Sequence, residues 1–160
     1  MNTPRLLAAA GLACALATTL PSHAADTPQG PYDETADAKA DIQATLAQAQ
    51  AAKLPVLVVF GANWCGDCKM LDTAFKTGAS APLMARSFKI VKVDVGRFTR
   101  NLDVAERYNV PLKSGIPAVA VLAADGKLLY ATRGGELADA RKMGDAGILD
   151  FFTKVVAQPR

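Results

Sequence analysis

The sequence predicts an α/β domain in which a mixed β-sheet carries helices on both faces. Apolar runs typical of buried strands alternate along the chain with stretches of helical period. Strands joined through helices favour parallel pairing, whereas Asp125-Gly126 between two apolar runs predicts an antiparallel hairpin. The chain has 160 residues, 51% of them hydrophobic, which is enough for one such domain with a sizeable core.

The elements follow one another in a regular order. An Ala-rich helix is predicted from Asp33 to Lys53, because Ile42, Leu46 and Ala49 recur at helical spacing. The pattern then predicts a buried strand at 56–60, helices at 65–76 and 82–86, a strand at 88–95, a short helix at 101–108, strands at 118–122 and 128–132, and a final helix at 145–157.

The first 24 residues have the layout of a secretory signal peptide. Arg5 precedes an apolar run over 6–20, and the small residues Ser22 and Ala24 stand where a signal peptidase cleaves. We expect cleavage after Ala24 and export to the periplasm. The alternative is an anchor that stays attached, although the run is short for a membrane span of about 20 residues.

The predicted cleavage defines the rest of the chain. Residues 25–32 read as a flexible leader, and residues 33–160 as a single domain with an extra N-terminal helix. Removing Cys14 and His23 leaves two cysteines and no histidine, which excludes Cys-His catalysis and a closed four-ligand zinc site. A net charge of +3, evenly mixed along the chain, makes nucleic acid an unexpected partner.

The two remaining cysteines lie in the segment Trp64-Cys65-Gly66-Asp67-Cys68, where a buried strand ends and a helix begins. Unpaired N–H groups and the helix dipole stabilise a thiolate at such a helix N-terminus. We therefore predict that Cys65 is the attacking nucleophile and Cys68 the resolving thiol of a redox pair. Two alternatives remain: a static disulfide, which would constrain the unfolded chain little, and a two-thiolate Cu(I) site.

At this point the sequence resembles the thioredoxin family. The resemblance rests on the strand followed by the 64–69 segment (WCGDCK), on Gly115-Ile116-Pro117 opening a later strand, and on Asp125-Gly126 in the hairpin, and it covers about residues 53–157. It implies a thioredoxin-like fold and an exported thiol:disulfide oxidoreductase. The sequence is more similar to the C-terminal domain of membrane thiol:disulfide interchange proteins than to ordinary thioredoxins.

The resemblance also implies which residues form the substrate site. Pro117 would be cis and lie against the cysteine pair, and the backbone of Ile116 would hold an extended substrate segment. Trp64, Gly66 and Asp67 would line the substrate groove beside the cysteines.

The chain departs from the family pattern in three ways: the dipeptide between the cysteines is Gly-Asp rather than Gly-Pro, the loop from Tyr108 to Gly115 is longer than in ordinary thioredoxins, and a buried acid is missing. Where the family has a buried acid six residues ahead of the first cysteine, this chain has Val59. Deprotonation of Cys68 would then depend on Asp67, on a nearby lysine such as Lys92, or on water.

The direction of electron flow follows from charge. Asp67 places a negative charge beside the developing thiolate, so we predict a reductant with a potential nearer ~−270 mV than ~−120 mV. The segment 132–143, which contains Arg141, is interpreted as a solvated loop, with a partner surface near the site as the alternative. Arg97 and Arg100 are interpreted in the same way.

The predicted reductase needs no cofactor beyond the Cys65-Cys68 disulfide. Its partners would be oxidised protein substrates and a membrane thiol:disulfide electron donor. The alternatives are a disulfide isomerase or oxidase, and a non-catalytic binding module or Cu(I) carrier.

Overall fold

The computed structural model describes residues 30–158, so the predicted signal peptide and most of the leader lie outside the described residues. Helices and strands alternate within this range as the sequence predicts. The elements are α1 (Ala38–Ala52), β1 (Val56–Gly61), α2 (Gly66–Thr77), α3 (Ala81–Ser87), β2 (Lys89–Asp94), α4 (Leu102–Arg107), β3 (Ala118–Leu122), β4 (Leu128–Ala131) and α5 (Ala140–Val156).

The four strands form one mixed sheet in the order β2-β1-β3-β4. Strand β1 runs parallel to β2 and antiparallel to β3, and β4 returns antiparallel beside β3. All six residues of β1 are buried, which fits a strand with a neighbour on each side and helices above and below. The thioredoxin-like α/β fold with a mixed sheet is thereby confirmed.

Alternate residues of β1 divide the core into two halves. Val56, Val58 and Phe60 belong to the half that includes α1 and α4, whereas Leu57 and Val59 belong to the half formed with α2, α3 and α5. The helices therefore cover both faces of the sheet.

Helix α1 begins later than the sequence indicated because a capping residue fixes its start. The carboxylate of Asp37 accepts hydrogen bonds from the N–H groups of Lys39 and Ala40, at 3.0 and 3.1 Å. Lys53, in the left-handed conformation, ends the helix. The predicted first turn at Asp33 is instead a local turn, in which Thr35 donates to the Asp33 carboxylate.

Helix α5 begins earlier than the sequence indicated. It starts at Ala140 and contains a break at Gly144, whose φ of 63° and ψ of −178° are not helical. Glycine tolerates this conformation, and it interrupts the helical period from which the start at Asp145 was predicted. Within residues 30–158, no helix has the length and apolar character needed to cross a bilayer.

The end of the predicted leader also differs from the expectation. Tyr32 is packed into the core, with 1% of its surface exposed. Its N–H donates to Oδ1 of Asn63 at 3.0 Å, and Nδ2 of Asn63 donates back to its carbonyl oxygen at 2.8 Å. The tyrosine is therefore fixed to the turn that precedes the cysteine pair, and a flexible leader does not extend to this residue.

Candidate active site

The cysteine pair lies where β1 passes into α2. After Gly61 the chain turns tightly, with the N–H of Cys65 donating to the carbonyl oxygen of Ala62 at 3.1 Å. Cys65 is the N-cap of α2, and its Sγ accepts the N–H of Cys68 at 3.1 Å. A disulfide joins the two cysteines, whose Cα atoms are 5.2 Å apart. Cys65 therefore lies at the N-terminus of a helix, where the sequence places it.

The two sulfurs have different surroundings. Cys68 is fully buried, whereas Cys65 is 5% exposed. The Sγ of Cys65 lies 3.6 Å from the carbonyl oxygen of Ile116, and the Ile116–Pro117 peptide bond is cis, as the resemblance implied. The cysteine nearer the surface is thus the one that lies against the segment expected to bind substrate.

Aromatic and basic side chains border the cysteines on the solvent side. Trp64 is 47% exposed, and its Nε1 donates to the carbonyl oxygen of Gly96 at 2.8 Å. The ring of Phe98 stands edge-on to it at 6.1 Å, and the guanidinium of Arg97 lies 5.6 Å from the Trp64 ring centroid. Arg97 is therefore a cation–π partner of the predicted site and not only part of a solvated loop.

Asp67 is paired with Arg141. Its Oδ1 accepts the backbone N–H of Arg141 at 3.0 Å, and its Oδ2 accepts Nη2 at 3.1 Å. Burial raises the pKa of Asp67, but the bonds from Arg141 outweigh it and hold that pKa below its ordinary value. The guanidinium also lies over Gly66, where an added Cβ would be 3.2 Å from its Cζ. The interpretation of Arg141 as merely solvated is wrong, and the negative charge of Asp67 is largely compensated.

We call Trp64, Arg97, Phe98, Asp67 and Arg141 the rim of the site. Below it, Gly61 ends β1 directly under the cysteine pair. A Cβ added at Gly61 would overlap the hydroxyl of Tyr32 and lie 2.9 Å from Sγ of Cys68. The Tyr32 hydroxyl and the Cys68 sulfur therefore both border the space that a side chain at position 61 would fill.

A salt bridge stands beside the position where the family has its buried acid. Val59 pairs in register with Lys92 on β2, and the ammonium of Lys92 binds the carboxylate of Asp72 on α2. Lys76 also binds Asp72, at 2.9 Å. Burial raises the pKa of Asp72, but the two lysines outweigh it and keep the carboxylate ionised at neutral pH. Lys92, proposed from the sequence as a substitute, is thus engaged by an acid from the helix.

A second carboxylate lies on the neighbouring strand. Asp94 pairs in register with Gly61 and is 4% exposed. Its Oδ2 accepts the N–H of Gly96 at 3.0 Å and Nη1 of Arg100 at 3.2 Å, while Oδ1 has no hydrogen-bond partner within the described part of the chain. Burial raises the pKa of Asp94 in spite of these bonds. We call Tyr32, Gly61, Cys68, Asp72 and Asp94 the floor of the site.

The residues predicted for the site therefore come together, although their roles in binding stay predictions. Cys65, Cys68, Trp64, Gly66, Asp67 and Ile116 surround one turn of the chain, and Pro117 follows Ile116 at the start of β3. Sequence reasoning missed Tyr32 and Asp94. Tyr32 stands in no motif or periodic pattern, and Asp94 lies in the predicted strand at 88–95, where no local signal indicates that its carboxylate is buried.

A thioredoxin-like family model matches residues 37–124. This covers more than half of the chain, includes the cysteine pair and the cis proline, and leaves Tyr32 outside. The chain belongs to the thioredoxin-like family of disulfide oxidoreductases.

Individual relatives agree with this assignment. A crystal structure of a disulphide isomerase from Xylella fastidiosa is 48% identical, has a TM-score of 0.76, and is matched over 81% of this chain and 98% of that one. The thiol:disulfide interchange protein DsbD 1 of Pseudomonas aeruginosa is 26% identical over 81% of this chain, and the match spans only 20% of its own length. Thioredoxin 1 of Chlorobaculum tepidum is 37% identical over 52% of this chain and 73% of its own.

Proposed function

We propose that this protein is an exported thiol:disulfide oxidoreductase that reduces disulfides in other proteins. The observation that carries the proposal is the asymmetry of the Cys65–Cys68 pair. Cys65 caps α2 beneath an exposed aromatic rim, and Cys68 is buried behind it. With this arrangement the Cys65 thiol can attack a bulky protein substrate, and the Cys68 thiol can reach only Cys65.

The reaction proceeds by two exchanges of sulfur partners. The Cys65 thiolate attacks one sulfur of a client disulfide, the other client sulfur leaves as a thiolate, and a mixed disulfide forms. Cys68 then attacks Sγ of Cys65, which releases the second client thiolate and closes the Cys65–Cys68 disulfide. Two electrons pass from the dithiol to the client, and the client thiolates take up the protons that the two cysteines lose.

The surface beside the rim suits a client segment. A groove of about 910 Å³ is lined by residues from Phe98 to Gly115 and by Arg133, with mostly apolar side chains and with Glu106, Lys113 and Arg133 as its charged residues. Leu102 lines this groove with 45% of its surface exposed. An extended, mostly apolar client segment could lie here while its disulfide reaches Cys65.

The signal-peptide layout of residues 1–24 supports export to the periplasm. In an oxidising compartment a reductase must be reduced again after each turnover. We propose a membrane thiol:disulfide interchange protein as the electron donor, and the similarity to part of the Pseudomonas interchange protein supports this choice.

The reduction potential tests the proposed direction. Residues 25–160 would be equilibrated in glutathione and dithiothreitol redox buffers, and the dithiol fraction measured by alkylation of free thiols. We expect a potential below that of the glutathione couple and nearer ~−270 mV than ~−120 mV. Because Arg141 compensates Asp67, the support for a weakly stabilised thiolate comes instead from the full burial of Cys68, which opposes its charged form. A potential near that of the strong oxidants would refute the reductase direction.

Disulfide isomerase is a second candidate, because the Xylella relative carries that name and shares 48% identity. The two activities differ in what happens to a wrongly paired client. A reductase converts scrambled ribonuclease to the free thiol form, whereas an isomerase restores its native pairing and its activity. The assay uses the reduced protein in catalytic amount without an added reductant. An isomerase restores ribonuclease activity over many turnovers because reshuffling consumes no electrons, whereas a reductase stops after each dithiol has reduced one client disulfide.

A further inference from the structure

We propose that the hydroxyl group of Tyr32 donates a hydrogen bond to the Cys68 thiolate and so positions the resolving thiol for its attack on Cys65. The inference rests on the proposed oxidoreductase function and adds to it a residue from outside the matched family region. Tyr32 would act through Cys68, so it is a positioning residue and not a catalytic one.

The geometry at Gly61 carries the inference. The position of a Cβ on Gly61 is 2.9 Å from Cys68 Sγ and 2.5 Å from Cζ of Tyr32, and it overlaps the tyrosine hydroxyl oxygen. Any other residue at 61 would separate the two groups. The glycine therefore lets a hydroxyl from the N-terminal segment approach a sulfur that is itself fully buried.

Several contacts hold the tyrosine in place. Its backbone exchanges two hydrogen bonds with the Asn63 side chain, which lies two residues ahead of Cys65. Two residues after Tyr32, the carbonyl oxygen of Glu34 accepts Nη1 of Arg100 at 2.6 Å, and the same Nη1 donates to Asp94. The segment is thus fastened both to the cysteine turn and to the end of β2.

The charges around the hydroxyl favour a donor that keeps its proton. Burial, followed by the negative charges of Asp72 on α2 and Asp94 on β2, raises the pKa of Tyr32 above its ordinary value. Lys92 and Lys76 bind Asp72, and Arg100 binds Asp94. The Tyr32 O–H keeps its proton in these surroundings, and a neutral O–H that is already in place can donate to a thiolate.

The step itself is the second exchange of the proposed reaction. Once the mixed disulfide has formed, Cys68 loses its proton, and the released client thiolate takes up one, so protons balance. The Tyr32 O–H donates to the Cys68 sulfur while it carries the negative charge and keeps its own proton throughout. The bond between the Cys65 and client sulfurs breaks as the Cys65–Cys68 bond forms.

The experiment separates the two exchanges with 5,5′-dithiobis(2-nitrobenzoate) as the probe. Its first thionitrobenzoate is released by attack of Cys65, and the second by attack of Cys68 on the mixed disulfide. Stopped-flow absorbance would follow both phases for reduced wild type, Tyr32→Phe and Tyr108→Phe across a pH series. Tyr108 is also buried, belongs to the same half of the core, and loses the same single oxygen.

We expect Tyr32→Phe to slow the second phase about tenfold, the loss typical of a hydrogen bond to a charged group. The pH at which that phase reaches half its maximum should rise by about one unit, because the Cys68 thiolate loses its donor. The first phase of Tyr32→Phe, and both phases of Tyr108→Phe, should match wild type. Thermal unfolding of the three proteins reports whether Phe at either position affects folding.

Equal second-phase rates and equal pH midpoints in Tyr32→Phe and wild type would overturn the inference. A second phase slowed equally in both tyrosine variants, with equally lowered melting temperatures, would also overturn it, since it would show a general packing effect. Wild type that releases no second thionitrobenzoate would instead refute the proposed function itself.

Discussion

The charged groups on the rim and on the floor of the site differ in how far they are exposed to water. On the rim, Asp67 pairs with an exposed guanidinium, so its charge is compensated and partly screened by water. On the floor, Asp94 is buried and its Oδ1 has no hydrogen-bond partner among the described residues, while Asp72 is partly buried and bound by Lys76 and Lys92. The two cysteines are three residues apart but stand in different electrostatic surroundings.

This difference indicates that separate groups control the thiolate stability of Cys65 and of Cys68. Cys65 depends on the helix N-terminus, the Cys68 N–H and the rim cation, all of which stabilise a thiolate. Cys68 is fully buried, and burial opposes a thiolate. The rim should therefore govern the first exchange and the floor the second, and the following experiments test that division from the largest expected effect to the smallest.

Replacing each cysteine should give the largest and most different effects. Cys65→Ser should abolish disulfide reduction completely, because no thiolate remains at the helix N-terminus. Cys68→Ser should retain the first exchange and accumulate the mixed disulfide, since no second thiol can release it. Mass spectrometry of each protein after incubation with an oxidised client measures the trapped adduct, and an adduct on Cys65→Ser would contradict the assigned order.

Gly61→Ala should lower the free energy of unfolding by about 1–3 kcal/mol, as inserting a methyl group into a packed core does. The new Cβ would overlap the Tyr32 hydroxyl and approach Cys68 Sγ. It should also slow the second exchange more than the first, because it displaces a floor residue and touches no rim residue. Urea unfolding and the two-phase assay measure both effects.

Gly134→Ala is the matched control for this substitution. A Cβ at Gly134 meets nothing within 4 Å, so the unfolding free energy should change by less than about 0.5 kcal/mol. If both alanine variants unfolded at the same urea concentration, the close packing of the floor around Gly61 would not hold.

The rim and the floor also differ in how far the sequence predicted them. Cys65, Trp64 and Asp67 lie in one motif, so the motif and the strand-to-helix pattern were enough to place them. Tyr32 and Asp94 are far apart in the chain. The packing of the N-terminal segment places Tyr32 beside Gly61, and the register of β2 places Asp94 opposite Gly61.

The elements of the fold were likewise predicted well where the signal is local, and poorly where it depends on distant residues. Elements with a strong period, such as β1 and the hairpin, were predicted closely, because hydrophobic alternation and Asp125-Gly126 specify them locally. The pairing of Asp67 with Arg141 was missed because 74 residues separate them and Arg141 lies in a turn of α5 that Gly144 concealed.

Asp72→Asn should lower the free energy of unfolding by about 1–3 kcal/mol at pH 7, the range for hydrogen bonds to a charged group. The folded protein holds the pKa of Asp72 below its ordinary value, so this stability is present above about pH 4 and is lost as the pH falls through the folded pKa. Urea unfolding at pH 7 and pH 3 should show the difference between variant and wild type shrinking with acid.

Asp150→Asn gives the matched comparison, because Asp150 also pairs with a lysine on a helix but both side chains are exposed. Its effect should stay below about 0.5 kcal/mol at either pH. A difference for Asp72→Asn that is equally small, or that grows toward pH 3, would show that the floor does not hold an ionised, partly buried carboxylate.

Arg141→Gln should have the smallest effect on stability, less than about 1 kcal/mol, because the guanidinium is mostly exposed. Its effect on reactivity should be confined to the rim. Without the guanidinium, the Asp67 charge is left uncompensated beside Gly66, so the pKa of the Cys65 thiol should rise by a few tenths of a unit. The rate of iodoacetamide alkylation of the reduced protein as a function of pH measures this pKa.

Lys142→Gln removes the same charge one residue further along, from another exposed side chain. The two variants lose the same charge from neighbouring positions. If the effect is local to the rim, the pKa of the Cys65 thiol should rise in Arg141→Gln and stay at the wild-type value in Lys142→Gln. An equal rise in both variants would mean that net charge and not the Asp67–Arg141 pair sets the reactivity of Cys65. A slower second exchange in Arg141→Gln, with Cys65 unchanged, would break the division between rim and floor, because a rim residue would then control the buried thiol.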